Sequence, residues 1–178
     1  MRGWGSRFIR FVPALAVGAS ALVFAAPGAQ AAGTAATFQL TGGSLSITQP
    51  ATASLGSTGV GATTLSGSLG SVSVTDNRGL VSAIWTASAV STAFTTGGAT
   101  SNETVAATNI AYSAGTATTT GSGTFTATPL SSMAVSSAVG AWTGVGINSA
   151  TWNPSITFTF LPTQVAGTYS GTITHSVA

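Results

Sequence analysis

Large apolar side chains recur at every second position along much of this chain, and that period dictates strands. In the final segment Tyr169, Gly171, Ile173, His175 and Val177 fall on one face, while Ser170, Thr172, Thr174 and Ser176 fall on the other. Upstream, Ile156, Phe158 and Phe160 alternate with Ser155, Thr157 and Thr159. An extended backbone turns successive side chains to opposite faces, whereas an amphipathic helix needs a period of 3.6. Phe38 with Leu40, Leu45 with Ile47, Val72 with Val74, Trp85 with Ala87 and Ala89, and Ile110 with Tyr112 repeat the pattern. Threonine and serine fill the intervening positions. Their hydroxyls suit a wetted sheet face, and the β-branch of threonine stiffens an extended chain.

Turn signals separate these runs. Gly42-Gly43 follows Leu40, and Asp76-Asn77-Arg78-Gly79 follows Val74; both read as turns between strands. The connection from Leu161-Pro162 to Ala166-Gly167 is too short for a useful helix, and the threonine-rich stretch from Thr116 to Gly123 reads as an exposed loop or edge. Turns at roughly ten-residue spacing predict an all-β fold, an antiparallel β-sandwich of about 8–10 short strands. Residues 32–178 are expected to form it as one domain.

Charge narrows the function. Only 3% of the 178 residues are charged. The formal net charge of +2 is misleading, because Arg2, Arg7 and Arg10 all lie at the N-terminus. Beyond residue 31 one cation, Arg78, faces two carboxylates, Asp76 and Glu103, with His175 the lone imidazole. A nucleic-acid partner is excluded, since phosphates need clustered cations. The lack of cysteine excludes a zinc-thiolate site, a disulfide framework and a redox dithiol. With so few groups able to titrate, no catalytic residue, cofactor or metal site is assigned and the chain is read as non-enzymatic. His175 next to the chain end reads as a packed or rim side chain, and Asp76 as a turn residue bonding its own backbone rather than a calcium ligand.

Residues 1–31 read as a secretory signal peptide. Three arginines precede an apolar run from Phe11 to Ala26; Pro27-Gly28 breaks it, and Ala29-Gln30-Ala31 supplies a small-x-small cleavage site. The apolar run is shorter than the roughly 20 residues a spanning helix needs. The mature form is therefore expected outside the cell, without a stable membrane span.

Three stretches, Val72-Ser73-Val74-Thr75-Asp76-Asn77-Arg78-Gly79, Trp85-Thr86, and Ala166-Gly167-Thr168-Tyr169-Ser170-Gly171-Thr172-Ile173-Thr174-His175, occur in that order. The arrangement resembles the WxL domain of secreted bacterial cell-surface proteins, here of an alanine-rich, lysine-free actinobacterial type. The motif positions are Asp76, Arg78, Trp85, Tyr169 and His175. The sequence departs from the family where Trp85-Thr86-Ala87 lacks the leucine, where His175 replaces a tryptophan and where Val177 replaces a leucine. The resemblance implies a β-sandwich that associates noncovalently with the cell wall, through peptidoglycan or another glycan.

Tryptophans are the natural place to look for glycan contact, because flat aromatic rings suit the apolar faces of sugars. Trp85, in mid-strand, reads as core. Trp142 and Trp152 flank a segment that reads as a glycine- and asparagine-rich loop, Thr143-Gly144-Val145-Gly146-Ile147-Asn148. With Asn148 they are the candidate glycan contacts. The expected function is thus a noncatalytic secreted surface module whose partners are cell-wall glycan or other surface proteins. A self-assembling coat subunit is the alternative, because edge strands without charge pair easily.

Overall fold

A computed structural model describes residues 33–178, so the leader assigned to residues 1–31 lies outside the described residues. Gln39–Ala178 forms one compact unit. Its strands, in chain order, are β1 (Leu45–Thr48), β2 (Thr64–Ser68), β3 (Val72–Ser91), β4 (Phe94–Thr95), β5 (Thr104–Val105), β6 (Ile110–Ser113), β7 (Thr118–Ala127), β8 (Ser137–Trp152), β9 (Ser155–Thr159) and β10 (Ile173–Val177). Two single 3-10 turns, Ser101–Glu103 and Ala107–Asn109, are the only helical pieces among the described residues.

All pairing is antiparallel. The larger sheet is built on β3 and β8. β7 lies outside β8, while β1 and β10 share the opposite edge of β3, at Ser73–Asp76 and Ala87–Ser91 respectively. The smaller sheet runs β2-β9-β6, and β4 pairs with β5 beside it. The sheets pack on each other as an all-β sandwich-like fold, the class the alternation predicts. Val72, Val74, Trp85, Ala87 and Ala89 of β3, with Val139, Trp142, Ala150 and Trp152 of β8, form the inner face of the larger sheet. Ile110, Tyr112, Ile156 and Phe158 cover them from the smaller one, and Met133 plugs a loop between. Hydroxyls pair across strands at Ser73–Thr151 (2.8 Å), Thr120–Ser149 (2.7 Å) and Ser66–Thr157 (2.7 Å).

The strands are not uniformly short. β3 has 20 residues and β8 has 16. The expected turn at residues 76–79 lies inside β3, as a bulge: Asp76 pairs with Asn148 and Leu80 with Gly146, so β3 spends four steps where β8 spends two. A polar Asp-Asn-Arg-Gly string satisfies its backbone equally well in a turn or in a bulge, and here the paired β8 carries the strand through. Gly42-Gly43 is likewise no hairpin turn. The chain there crosses the bulge, with Gly43 N–H donating to the Asn77 carbonyl at 2.7 Å. A Cβ at Gly42 would lie 2.3 Å from the Arg78 carbonyl oxygen, so glycine is needed for the approach rather than for a reversal. No strand forms at Phe38 and Leu40; the first begins at Leu45. The last begins at Ile173 rather than Tyr169, because Ser170 turns aside to bridge Thr95.

Candidate functional site

The bulge brings three of the motif positions together. Asp76 is fully buried. Its Oδ1 accepts the Arg78 backbone N–H at 3.0 Å and Arg78 Nε at 2.9 Å, and its Oδ2 accepts Arg78 Nη2 at 2.9 Å. The same Nη2 donates to the Ile84 carbonyl at 3.0 Å, across the bulge. Asn148, directly opposite on β8, donates Nδ2 to Asp76 Oδ2 at 3.4 Å and accepts Trp85 Nε1 at 2.8 Å. The hydrogen bond from Arg78 holds the Asp76 carboxyl below the usual carboxylate range, against the opposing effect of burial. Asp76, Arg78, Asn148 and Trp85 thus form a closed brace. A bidentate guanidinium–carboxylate pair fixes geometry as well as charge, and this one locks the bulged strand to its neighbour.

That placement overturns the glycan-contact assignment. Trp142, Trp152 and Asn148 are 0%, 2% and 4% exposed. Residues 143–148 are paired strand, not loop, and from Gly140 to Trp152 the even-numbered side chains of β8 point inward. Trp142 stacks on Trp85 with ring centroids 6.3 Å apart and planes at 8°, while Phe125 stacks on Trp152 at 5.2 Å. The inward position after Trp142, Gly144, is a glycine because the indole lies along its own sheet. A Cβ on Gly144 would sit 2.7 Å from Trp142 Nε1, and one on Gly123 of β7 would sit 2.7 Å from its Cζ2. Among the described residues, no tryptophan face is open to a sugar.

His175 is a packed side chain in a second polar chain that joins the sheets. Trp152 Nε1 donates to Tyr112 Oη at 2.8 Å, and Tyr112 Oη lies 3.0 Å from His175 Nε2. Indole only donates, so the Tyr112 proton is left to point at His175 Nε2. The imidazole proton then sits on Nδ1 and donates to Gln49 Oε1 at 2.5 Å. Burial pushes the His175 pKa down to about 4 and the Tyr112 pKa up to about 12. Both groups are neutral over the physiological range.

An accessible concave surface lies elsewhere, at the open end of the smaller sheet. A groove of about 500 Å³ runs between residues 53–62, the ends of β2 and β9, and residues 160–169. Phe94 and Phe158, in edge-to-face contact at 4.9 Å, form its floor. Phe160, parallel to Phe158 at 6.5 Å, and Tyr169 are half-buried and present ring surface to it. The wall at residues 161–169 is pinned. Gln164 Oε1 accepts the Leu161 N–H at 3.0 Å, Gln164 Nε2 donates to the Thr104 carbonyl at 2.8 Å, and Tyr169 Oη donates to the Val165 carbonyl at 2.9 Å. No carboxylate, guanidinium, amine or imidazole lines the groove. Glu103 is engaged instead at the 3-10 turn, where Thr100 donates its N–H (3.1 Å) and hydroxyl (2.8 Å) to Oε2 and holds the carboxyl below its usual range.

No family model, curated protein or solved structure matches this chain.

Of the sequence-predicted positions, the fold gathers Asp76, Arg78, Trp85 and Asn148 into one brace and places Trp152 and His175 in the Tyr112 chain. Only Tyr169 reaches the groove. Phe160 and Gln164 were not assigned by sequence reasoning. The available signal was that the alternation Ile156, Phe158, Phe160 outruns β9, which ends at Thr159, leaving an aromatic residue beyond the last paired residue. Among the described residues, no three His, Cys, Asp or Glu side chains gather to hold a metal ion.

Proposed function

We propose that this chain is a noncatalytic, secreted surface module that holds a neutral saccharide of the cell envelope, with peptidoglycan glycan as the first candidate, in the groove between residues 53–62 and 160–169. The observation that carries the reading is the lining: half-buried Phe160 and Tyr169 rings beside neutral hydroxyl and backbone groups, with no carboxylate, guanidinium, amine or imidazole, and with the Tyr169 hydroxyl already engaged on the Val165 carbonyl. Aromatic faces with a few fixed polar groups suit a sugar's alternating apolar and hydroxyl surfaces. Proton transfer to or from a substrate needs a positioned acid or base, and this lining offers recognition instead. The leader-like residues 1–31 and the resemblance to WxL surface domains support secretion and envelope association. The brace supports treating Asp76, Arg78 and Trp85 as a fold motif rather than as contacts.

Such binding owes little to charge, so salt has little to screen. The full chain, incubated with purified cell-wall sacculi, is expected to sediment with them equally at low and high salt. Phe160→Ala is expected to weaken sedimentation several-fold without unfolding the protein. Folded protein that stays in the supernatant, or that is released by salt alone, overturns the proposal.

A further inference from the structure

β7 is the outer strand of the larger sheet, and all ten of its residues but Phe125 are exposed. Its other edge meets no strand among the described residues; its ladder with β8 is interrupted at Gly121 (φ 98°), between Thr120 and Ser122, and unbroken from Ser122 to Ala127, so alternate N–H and C=O groups along that second stretch are open to pairing. Strands in this position are usually protected by charge, proline, a bulge or brevity, and of these β7 has only the irregularity at Gly121. Thr118–Ala127 reads Thr-Thr-Thr-Gly-Ser-Gly-Thr-Phe-Thr-Ala and has no charge and no proline. Its partner β8 adds no charge either.

We infer that β7 pairs with β7 of a second copy, antiparallel about a two-fold axis, to give a closed dimer with one continuous sheet. The inference does not rest on the groove. Three observations select a second copy as the occupant. A hydroxyl both donates and accepts, so a threonine-rich edge is complementary to itself. The fold already uses such pairs, at Ser73–Thr151, Thr120–Ser149 and Ser66–Thr157. Two identical uncharged strands also meet without like-charge repulsion, which would destabilise a homotypic pair of charged ones.

The geometry separates this assembly from a coat. An isologous contact consumes the β7 edge of both copies and stops. Continued growth would need the opposite edge of the larger sheet, and that edge is made of two short pieces, β1 with four residues and β10 with five. A discrete dimer follows rather than a filament.

The test uses the full chain. Sedimentation velocity over a concentration series is expected to show a monomer–dimer equilibrium with no larger species. Ser122→Lys with Thr124→Lys, both exposed and near the middle of β7, sets like charges against each other across the axis and is expected to weaken the dimer at least tenfold. Because the chain has no cysteine, Ser122→Cys gives a second measurement in an otherwise native strand. It is expected to form a covalent dimer on mild oxidation, while Ser46→Cys on β1 is not. A monomer at every concentration, growth without limit, or a dimer unmoved by the lysines and uncrosslinked at residue 122 overturns the inference.

Discussion

The four side chains of the bulge brace show how a few polar atoms can decide a fold built mainly of threonine, alanine and glycine. Burying a polar group is tolerated when it is bonded and expensive when it is left alone. The three inner-face tryptophans make that testable. Trp85 and Trp152 donate to Asn148 and Tyr112, whereas Trp142 Nε1 is the one buried side-chain polar atom without a partner among the described residues. Replacing each by phenylalanine removes an N–H and some area, but only two of the replacements break a hydrogen bond. Trp85→Phe is expected to leave Asn148 Oδ1 unbonded, and Trp152→Phe to remove the donor that orients the Tyr112 hydroxyl. Trp85→Phe is expected to cost about 1–3 kcal/mol more than Trp142→Phe, the range for an unsatisfied buried group, and Trp152→Phe about 0.5–1.5 kcal/mol more, the net worth of one hydrogen bond, because the Tyr112 hydroxyl keeps His175. Denaturant unfolding of the three variants checks the ranking. A Trp142 variant as damaged as the others would show that its N–H is bonded after all.

At the level of elements, the alternation located Ile156 with Phe158 on β9, Ile173 with His175 and Val177 on β10, and Ile110 with Tyr112 on β6. Period two is a local consequence of backbone geometry and needs no partner to be legible. Boundaries were less legible, because an Asp-Asn-Arg-Gly string bonds itself whether the chain reverses or bulges, and only the neighbouring strand decides. The same ambiguity made residues 143–148 look like a loop, when Gly144 is a strand residue kept small by the indole lying over it. Gly144→Ala would bring its Cβ to 2.7 Å from Trp142 Nε1 and 2.3 Å from the Ser122 carbonyl oxygen. Shifting β7 or expelling the indole is expected to cost about 1–3 kcal/mol, the usual penalty for overpacking. A loop glycine would tolerate alanine, so thermal unfolding of this one variant distinguishes the two readings. The groove was hardest to read from sequence. It is assembled from residues 53–62 and 160–169, about a hundred positions apart, and neither carries a motif.

Across the whole molecule, the scarcity of ionisable groups makes stability against pH readable group by group. His175 has an ordinary pKa near 6.5 when unfolded and about 4 when folded. Unfolding therefore takes up a proton once the pH drops below 6.5. The stabilising contribution is complete above 6.5 and is lost progressively as the pH falls to 4. The difference corresponds to about 3 kcal/mol. Asp76 and Glu103, both held below their ordinary values by hydrogen bonds, contribute stability above those values and lose it only at lower pH. On the alkaline side Tyr112 moves the opposite way, from 10.0 to about 12, so its contribution is complete below 10 and disappears as the pH rises toward 12. A plateau from about 6.5 to 10 is expected from these groups, with an acid limb that begins well above the carboxylate range. A carboxylate-rich protein would instead hold its stability until its acids protonate. His175→Gln removes the titrating imidazole and retains a side chain able to accept from Tyr112. The variant is expected to lose stability at pH 8, where the native bond to Gln49 is disturbed, but to show a flat profile from 6.5 down to about 5, above the range in which the Glu103 and Asp76 contributions begin to be lost. Unfolding free energies of both proteins across that interval decide the matter, since an unchanged slope in the variant would place the titrating group elsewhere.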